Sequence, residues 1–223
     1  MKIFVDSANL SEIEQALERG FVSGVTTNPT IFSKEEKGDF RGRVQEIIDL
    51  LKRYDADIPI SVEVFTTDPK EMLKQADEFV RHFGGYEKLV IKVPIGWDEL
   101  AVIRELRKRD IPVNCTCCMS YNQVIMAAAA GANYASLFYG RIRDIGHDGL
   151  SIVRQIHATF RERQPACELI VGSIRHITDI NDVLQAGADI VTVPPKLFPQ
   201  MVVHPKTDEV VNQFVTDFQK WMK

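Results

Sequence analysis

One lysine, Lys92, stands inside the apolar run Leu89-Val90-Ile91-Lys92-Val93-Pro94, which reads as a buried strand stopped by a proline. Burial strips an ammonium of its hydration and disfavours the charged form, and a neutral amine can attack a carbonyl to form a Schiff base. The plainer alternative is a lysine whose head reaches water from a strand end. Its companions decide between the two. Asp6, Thr27 with Asn28, Glu63, Asn114 with Thr116, and Ser136 lie at or near the ends of other apolar runs, and Ser173 and Arg175 follow a further one.

These residue types divide into roles. Lys92 would attack a ketone, giving a carbinolamine and then an iminium, an electron sink that lets the bond two carbons away break. Asp6 would take the proton of the departing hydroxyl, and Glu63 with Thr116 would hold the water that moves protons as the Schiff base forms and hydrolyses. Asn28, beside Thr27, would meet the hydroxyls of a polyol together with Asn114 and Ser136. Ser173 and Arg175, with Arg141 as a second clamp, suit an anion such as phosphate. This chemistry calls for no metal and no cofactor. Each residue alone also has a plainer reading. Asp6 and Asn28 could cap turns, Glu63 could face water, Thr116 and Ser136 could be ordinary strand positions, and both arginines could form surface ion pairs. Their coincidence at one end of successive strands favours the functional reading, because unpaired polar groups buried there are costly.

The elements that would hold this constellation alternate regularly. Strands are expected at Lys2 to Asp6, Gly24 to Thr27, Pro59 to Phe65, Leu89 to Pro94, Val113 to Cys117, Tyr134 to Phe138, Glu168 to Gly172 and Ile190 to Val193. Amphipathic helices are expected over Ser7 to Gly20, Phe40 to Tyr54, Asp68 to Phe83, Asp98 to Asp110, Ser120 to Ala130, Asp148 to Arg163 and Thr178 to Ala186. Ser11 with Glu14 suggests a capping box in the first of them. A loop is expected around Lys34-Glu35-Glu36-Lys37 and another around Gly140-Arg141 and Gly146. A short helix near Leu197 to Val202 and an amphipathic helix from Asp208 to Trp221 close the chain. Strand and helix in alternation predict one α/β domain over residues 1–223, a (β/α)8 TIM barrel with an extra C-terminal helix. There is no G-x-G-x-x-G after the first strand and no Walker motif to suggest a doubly wound sheet.

Composition sets outer limits. The 223 residues are 45% hydrophobic with a net charge of −4, and the basic residues are scattered, which argues against a nucleic-acid partner. No run approaches a membrane span, and the residues after Met1 lack a signal-peptide hydrophobic region, so a cytoplasmic location is expected. Of the four cysteines, Cys115, Cys117 and Cys118 crowd one strand, with Cys167 elsewhere. The C-x-x-C of Cys115 and Cys118 has no second pair, so buried structural thiols are expected rather than zinc ligands.

The motifs resemble the transaldolase family, in its short-chain branch that includes fructose-6-phosphate aldolases. The likeness runs through Phe4-Val5-Asp6-Ser7-Ala8-Asn9, Val25-Thr26-Thr27-Asn28-Pro29-Thr30, Val62-Glu63-Val64, Ile91-Lys92-Val93-Pro94, Asn114-Cys115-Thr116, Gly140-Arg141-Ile142 and Ser173-Ile174-Arg175. It implies Schiff-base transfer of a dihydroxyacetone unit from a ketose phosphate, of the fructose 6-phosphate or sedoheptulose 7-phosphate type, to an aldose phosphate. By resemblance Lys92 is the nucleophile and Asp6 the acid/base. Asn28, Glu63, Asn114, Thr116 and Ser136 surround them, and Arg141, Ser173 and Arg175 bind phosphate. The aldolases that release free dihydroxyacetone carry glutamine and tyrosine where this chain has Glu63 and Phe138. Short members are assemblies of five or ten subunits, so a homo-oligomer is implied, with the last helix packing on a neighbour.

Several positions depart from the family pattern. Gly96 replaces a threonine after the lysine, Arg143 follows Gly140-Arg141-Ile142, and Cys117 and Cys118 stand where aliphatic residues are common. The first two raise a sulfonated ketose, 6-deoxy-6-sulfofructose, as an alternative donor. An aldolase of the fructose-6-phosphate type and a catalytically silent barrel that binds sugar phosphates are the remaining alternatives.

Overall fold

The computed structural model describes residues 1–223 and forms a closed barrel of eight parallel strands in the order β1 to β8. The strands are β1 (Lys2–Asp6), β2 (Val22–Thr26), β3 (Ile60–Glu63), β4 (Leu89–Pro94), β5 (Val113–Cys118), β6 (Tyr134–Phe138), β7 (Glu168–Gly172) and β8 (Ile190–Val193). Between β1 and β4 run α1 (Leu10–Leu17), α2 (Pro29–Phe32), α3 (Phe40–Arg53) and α4 (Pro69–Phe83). After β4 come α5 (Glu99–Lys108), α6 (Tyr121–Ala129), α7 (Tyr139–Asp144), α8 (Gly149–Arg163) and α9 (Ile177–Gln185). Two short 3-10 turns, Pro195–Leu197 and Pro199–Met201, lead to α10 (Pro205–Trp221). The single barrel and the extra helix agree with the expectation from alternation.

Local chemistry explains most helix starts. Asp39, Asp68, Ser120 and Asp148 accept backbone N–H groups at the starts of α3, α4, α6 and α8, and Pro69 occupies the first turn of α4. The start of α1 differs from expectation. Asn9, not Ser11, is the cap, its Oδ1 accepting from Glu12 N at 3.1 Å, because Ser11 already lies in the first turn. Two short helices, α2 and α7, occupy segments expected as loops. Each is too short for a readable period, and α7 begins Tyr139-Gly140, a poor helix opening by propensity.

Strand residues alternate between two different cores. Val5, Val25, Val62, Ile91, Val93 and Cys115 pack with apolar helix residues such as Ile47, Met72, Ile103 and Ile156, so this face points outward to the helix layer. Each fully buried aliphatic side chain there contributes about 1.5–3 kcal/mol. The opposite parity points into the barrel. There Phe4, Ile170 and Ile190, flanked by Tyr134, form a small separate apolar plug at the amino-terminal end. Above the plug most inward positions are polar: Asp6, Thr26, Ser61, Glu63, Lys92, Asn114, Thr116, Ser136 and Thr192. The barrel is therefore held together from outside and left chemically free inside.

Strand β5 carries a bulge. Cys115 pairs with Ala135 and Cys118 with Leu137, so one extra residue is inserted, and Cys117 takes φ +63°. The bulge returns Cys118 to the outward face with Cys115 and turns Cys117 toward the strand ends.

Candidate active site

A cavity of about 500 Å³ opens at the carboxyl ends of the strands, where such barrels place their chemistry. Asp6, Asn28, Glu63, Lys92, Ser136, Phe138, Arg141 and Ser173 all line it. They come from β1, β3, β4, β6 and the segments that follow β2, β6 and β7, so only barrel closure brings them together.

Lys92 is 3% exposed and lies on the cavity floor. Its Nζ donates to the Thr27 carbonyl oxygen at 2.7 Å and lies 3.0 Å from Glu63 Oε2. Strand register puts the second contact there, since Glu63 and Lys92 are direct partners across β3 and β4. The approach to Glu63 lacks hydrogen-bond alignment, so Oε2 remains a buried acceptor without a donor, and the buried Thr116 hydroxyl also lacks a partner. Buried polar groups are rarely left in this way, and the Glu63 acceptor beside an amine suits a mobile water or a substrate hydroxyl.

Asp6 faces Lys92 from β1. Burial pushes its carboxyl above the ordinary value, and Glu63 adds to the shift. A hydrogen bond from Thr26 and the charges of Lys92 and Lys34 oppose it. Thr26 Oγ1 donates to Asp6 Oδ1 at 2.7 Å, the two residues being register partners.

Two of the expected substrate contacts, Thr27 and Asn114, and the expected water-holding Thr116 act from behind the lining. Thr27 is fully buried and its hydroxyl donates to the Ser61 carbonyl, so its service is to Lys92 through its own carbonyl. Thr26, one residue earlier, is the inward one, which places the strand end a residue sooner than expected. Asn114 accepts from the Ser136 hydroxyl at 2.8 Å and donates to Ser61 Oγ at 3.3 Å, and therefore orients Ser136 from beneath. Thr116 is likewise buried below the surface of the cavity. Asn28 has a double duty. Its Oδ1 caps α2 by accepting from Ile31 N at 3.0 Å, which leaves its amide N–H groups for the cavity.

The anion clamp is only partly assembled. Ser173 lines the cavity with φ +59°, and Arg141 stands at the rim. Arg175 does not line it; its guanidinium is paired with Asp144. The two segments approach closely, because a Cβ on Gly140 would fall 2.1 Å from the Ser173 carbonyl oxygen. Asp179, 0% exposed, fixes the loop by accepting from the backbone N–H groups of Arg175 and His176, each at 3.0 Å, and from the Arg143 guanidinium. Arg143 also stacks on the Tyr139 ring. It is a strut from α7 to α9, whose Asp179 holds the loop after β7.

The other departures also find places. Gly96 is not part of the cavity lining, and a Cβ there would point at the Glu99 carboxylate, 2.0 Å away. Cys115, Cys118 and Cys167 are buried free thiols, Cys167 being pushed by burial up to about 12. Cys117 differs from the structural role expected of it and lines the cavity. No cluster of His, Cys, Asp and Glu has metal-site geometry. Thr26, Lys34, Cys117 and Thr192 line the cavity although the sequence did not point to them as site residues. The parity of Phe4 and Asp6, extended to Thr26 and Thr192, was the signal available for two of them.

The family model for Transaldolase/Fructose-6-phosphate aldolase matches residues 3–223. A "Probable transaldolase" of Dehalococcoides mccartyi is 40% identical over 223 residues, covering 100% of both chains. One of Heliobacterium modesticaldum with the same name is 41% identical over 219 residues, covering 98% of each. Among solved structures, thiamine phosphate pyrophosphorylase from Pyrococcus furiosus superposes with a TM-score of 0.59 at 13% identity, covering 86% of this chain and 85% of its own. A mandelate oxidase gives 0.58 at 16% identity, covering 87% of this chain and 65% of its own. These two likenesses speak to the barrel alone.

Proposed function

Because the chain belongs to the transaldolase/fructose-6-phosphate aldolase family, we propose that it is a Schiff-base transaldolase moving a dihydroxyacetone unit from a ketose phosphate to an aldose phosphate. The observation that carries this reading is the Lys92 amine at the cavity floor, 3.0 Å from Glu63, with Asp6 on the same cavity. Lys92 passes a proton to Glu63 and attacks the ketone carbon. The carbinolamine loses water, with Glu63 and the Thr116 hydroxyl holding that water. The iminium then draws in the electron pair of the next carbon–carbon bond while Asp6 takes the proton of the hydroxyl beyond it. An aldose phosphate departs and an enamine remains on Lys92. The acceptor aldehyde takes up the enamine's electrons, Asp6 returns the proton to the new hydroxyl, and hydrolysis frees Lys92. Asn28 and Ser136 hold hydroxyls, and Arg141 and Ser173 hold the phosphate, with Arg175 released from Asp144 to join them.

The departures at Gly96 and Arg143 lie off the cavity lining, which favours a phosphate donor of the fructose 6-phosphate or sedoheptulose 7-phosphate type over 6-deoxy-6-sulfofructose. Glu63 and Phe138 favour transfer over release of free dihydroxyacetone. The test is twofold. Borohydride added with fructose 6-phosphate is expected to leave a reduced three-carbon unit on Lys92, absent in Lys92→Ala. Turnover of phosphate and sulfonate donors, each with and without an aldose acceptor, is expected to require phosphate and acceptor. Labelling that survives Lys92→Ala sinks the mechanism, and acceptor-independent release identifies an aldolase. Binding of sugar phosphates with every transfer assay blank identifies a silent barrel.

The working unit is proposed to be a homo-oligomer of five or ten copies in the cytoplasm. No residue of α10 is buried, and Val211, Phe214, Val215, Phe218 and Trp221 lie exposed on it. An apolar groove of about 670 Å³, with Phe21, Phe198, Pro199 and Val202 on its walls, suits such a helix from a neighbour. The free thiols suit a reducing compartment, and no helix is long and apolar enough to cross a membrane.

A further inference from the structure

Thr192 on β8 and Thr26 on β2 meet inside the barrel across β1, the strand that carries Asp6. The Thr26 and Thr192 hydroxyl oxygens lie 2.5 Å apart, and Thr26 donates to Asp6 Oδ1 at 2.7 Å. A hydroxyl has a single proton. With the Thr26 proton directed at the carboxylate, the proton between the two threonines comes from Thr192. When Asp6 takes its proton on Oδ1 the order reverses. Asp6 then donates to Thr26 and Thr26 donates to Thr192. Only groups that both donate and accept can turn round in this way, and the row holds no ammonium or guanidinium that could not.

From this geometry we infer that Thr192, acting through Thr26, is a positioning residue that gives Asp6 a hydrogen-bond partner in both of its protonation states. The inference rests on the Schiff-base reading, in which Asp6 first accepts and then returns a proton. Thr192 and Thr26 are 5% and 3% exposed, so water does not readily replace either hydroxyl. The Thr192 methyl leans toward β7, 3.1 Å from where a Cβ on Gly172 would stand, which fixes its hydroxyl toward β2. Lys92 from β4, Glu63 from β3 and Lys34 from the segment after α2 are the charged groups that face Asp6. They bias its charge, but Thr26 is the side chain that hydrogen-bonds to it.

Removing the Thr192 hydroxyl leaves the Thr26 proton without an acceptor when Asp6 carries its proton on Oδ1, the oxygen that faces Thr26, so that protonated form is disfavoured. Thr192→Val, nearly isosteric, is expected to lower kcat about tenfold with KM little changed, and to move the acid limb of the pH profile down by about half a unit. Thr192→Ser is expected to restore both. A carbon-13 titration of the Asp6 carboxyl, assigned with Asp6→Asn, reads the same shift without turnover. A midpoint unchanged in Thr192→Val, or shifted equally in Thr192→Ser, overturns the inference. Failure of the wild-type protein to label with borohydride overturns the reaction instead, and the carboxyl titration still decides the hydroxyl row.

Discussion

Glu63 and Lys92 are partners across neighbouring strands, and their charged atoms meet at 3.0 Å on the cavity floor while one carboxylate oxygen keeps an unfilled acceptor position. Such a carboxylate can take a proton from the amine and pass it on through water. Glu63→Gln keeps the shape and removes the base. Its rate of borohydride trapping is expected to fall about 100-fold. Trapping as fast as wild type would remove Glu63 from Schiff-base formation.

Asp6 makes the fold pH-sensitive in a definite direction. Its carboxyl is raised above 3.8 by burial, so the folded chain prefers it protonated. The stability this preference contributes is full below the unfolded value and is lost as pH rises through the folded one. Asp6→Asn mimics the protonated group, its amide N–H donating to Thr26 where the acid proton would. At neutral pH the variant is expected to melt about 2–4 °C higher than wild type, equivalent to about 1 kcal/mol. The gap should close below about pH 4, in the range of an ordinary aspartate, while transfer activity is lost. Calorimetry across pH checks the sign, and an equal gap at every pH would refute the linkage.

Ser173 holds φ +59° while lining the cavity, a conformation costing about 1–2 kcal/mol outside glycine. Ser173→Gly should therefore be more stable to urea than Ser173→Ala by about 1 kcal/mol. Both should raise KM for the phosphorylated donor by a similar factor, since both lose the hydroxyl. Equal stabilities would mean that the turn relaxes.

Arg143 neutralises the buried Asp179, which in turn ties down the loop of Ser173 and Arg175. Arg143→Ala is expected to destabilise the chain by about 1–3 kcal/mol by removing the counter-charge. KM for a phosphorylated acceptor should rise more than for an unphosphorylated aldehyde. An equal change for both would show that the strut does not serve the anion clamp.

The face of α10 gives the last prediction. Phe218→Glu with Trp221→Glu should lower the sedimenting mass to that of a smaller species, with the barrel's circular dichroism retained. An unchanged mass would place the subunit contact elsewhere.

The barrel and most of the residues that share its cavity were readable because period and parity are strong signals. The run from Leu89 to Pro94 became β4 with the expected bounds, and β1, β6, β7 and β8 also matched. What escaped was set by geometry across the chain. Thr27 lies one residue past its strand, so its side chain left the interior and its carbonyl served instead. The bulge at Cys117 reversed the parity of β5, which no pattern within Val113 to Cys118 announces. Arg175 was assigned to the phosphate from residue type, but its present partner, Asp144, comes from a helix that sequence periodicity could not reveal.

The plug of Phe4, Ile170 and Ile190 separates the reacting end of the barrel from its base, while the large core lies outside the strands. Selection for new substrates can therefore act on the inward residues above the plug while leaving the packing between strands and helices untouched. Sequence drift in a lineage should then divide by strand parity, outward positions tracking growth temperature and inward ones tracking diet.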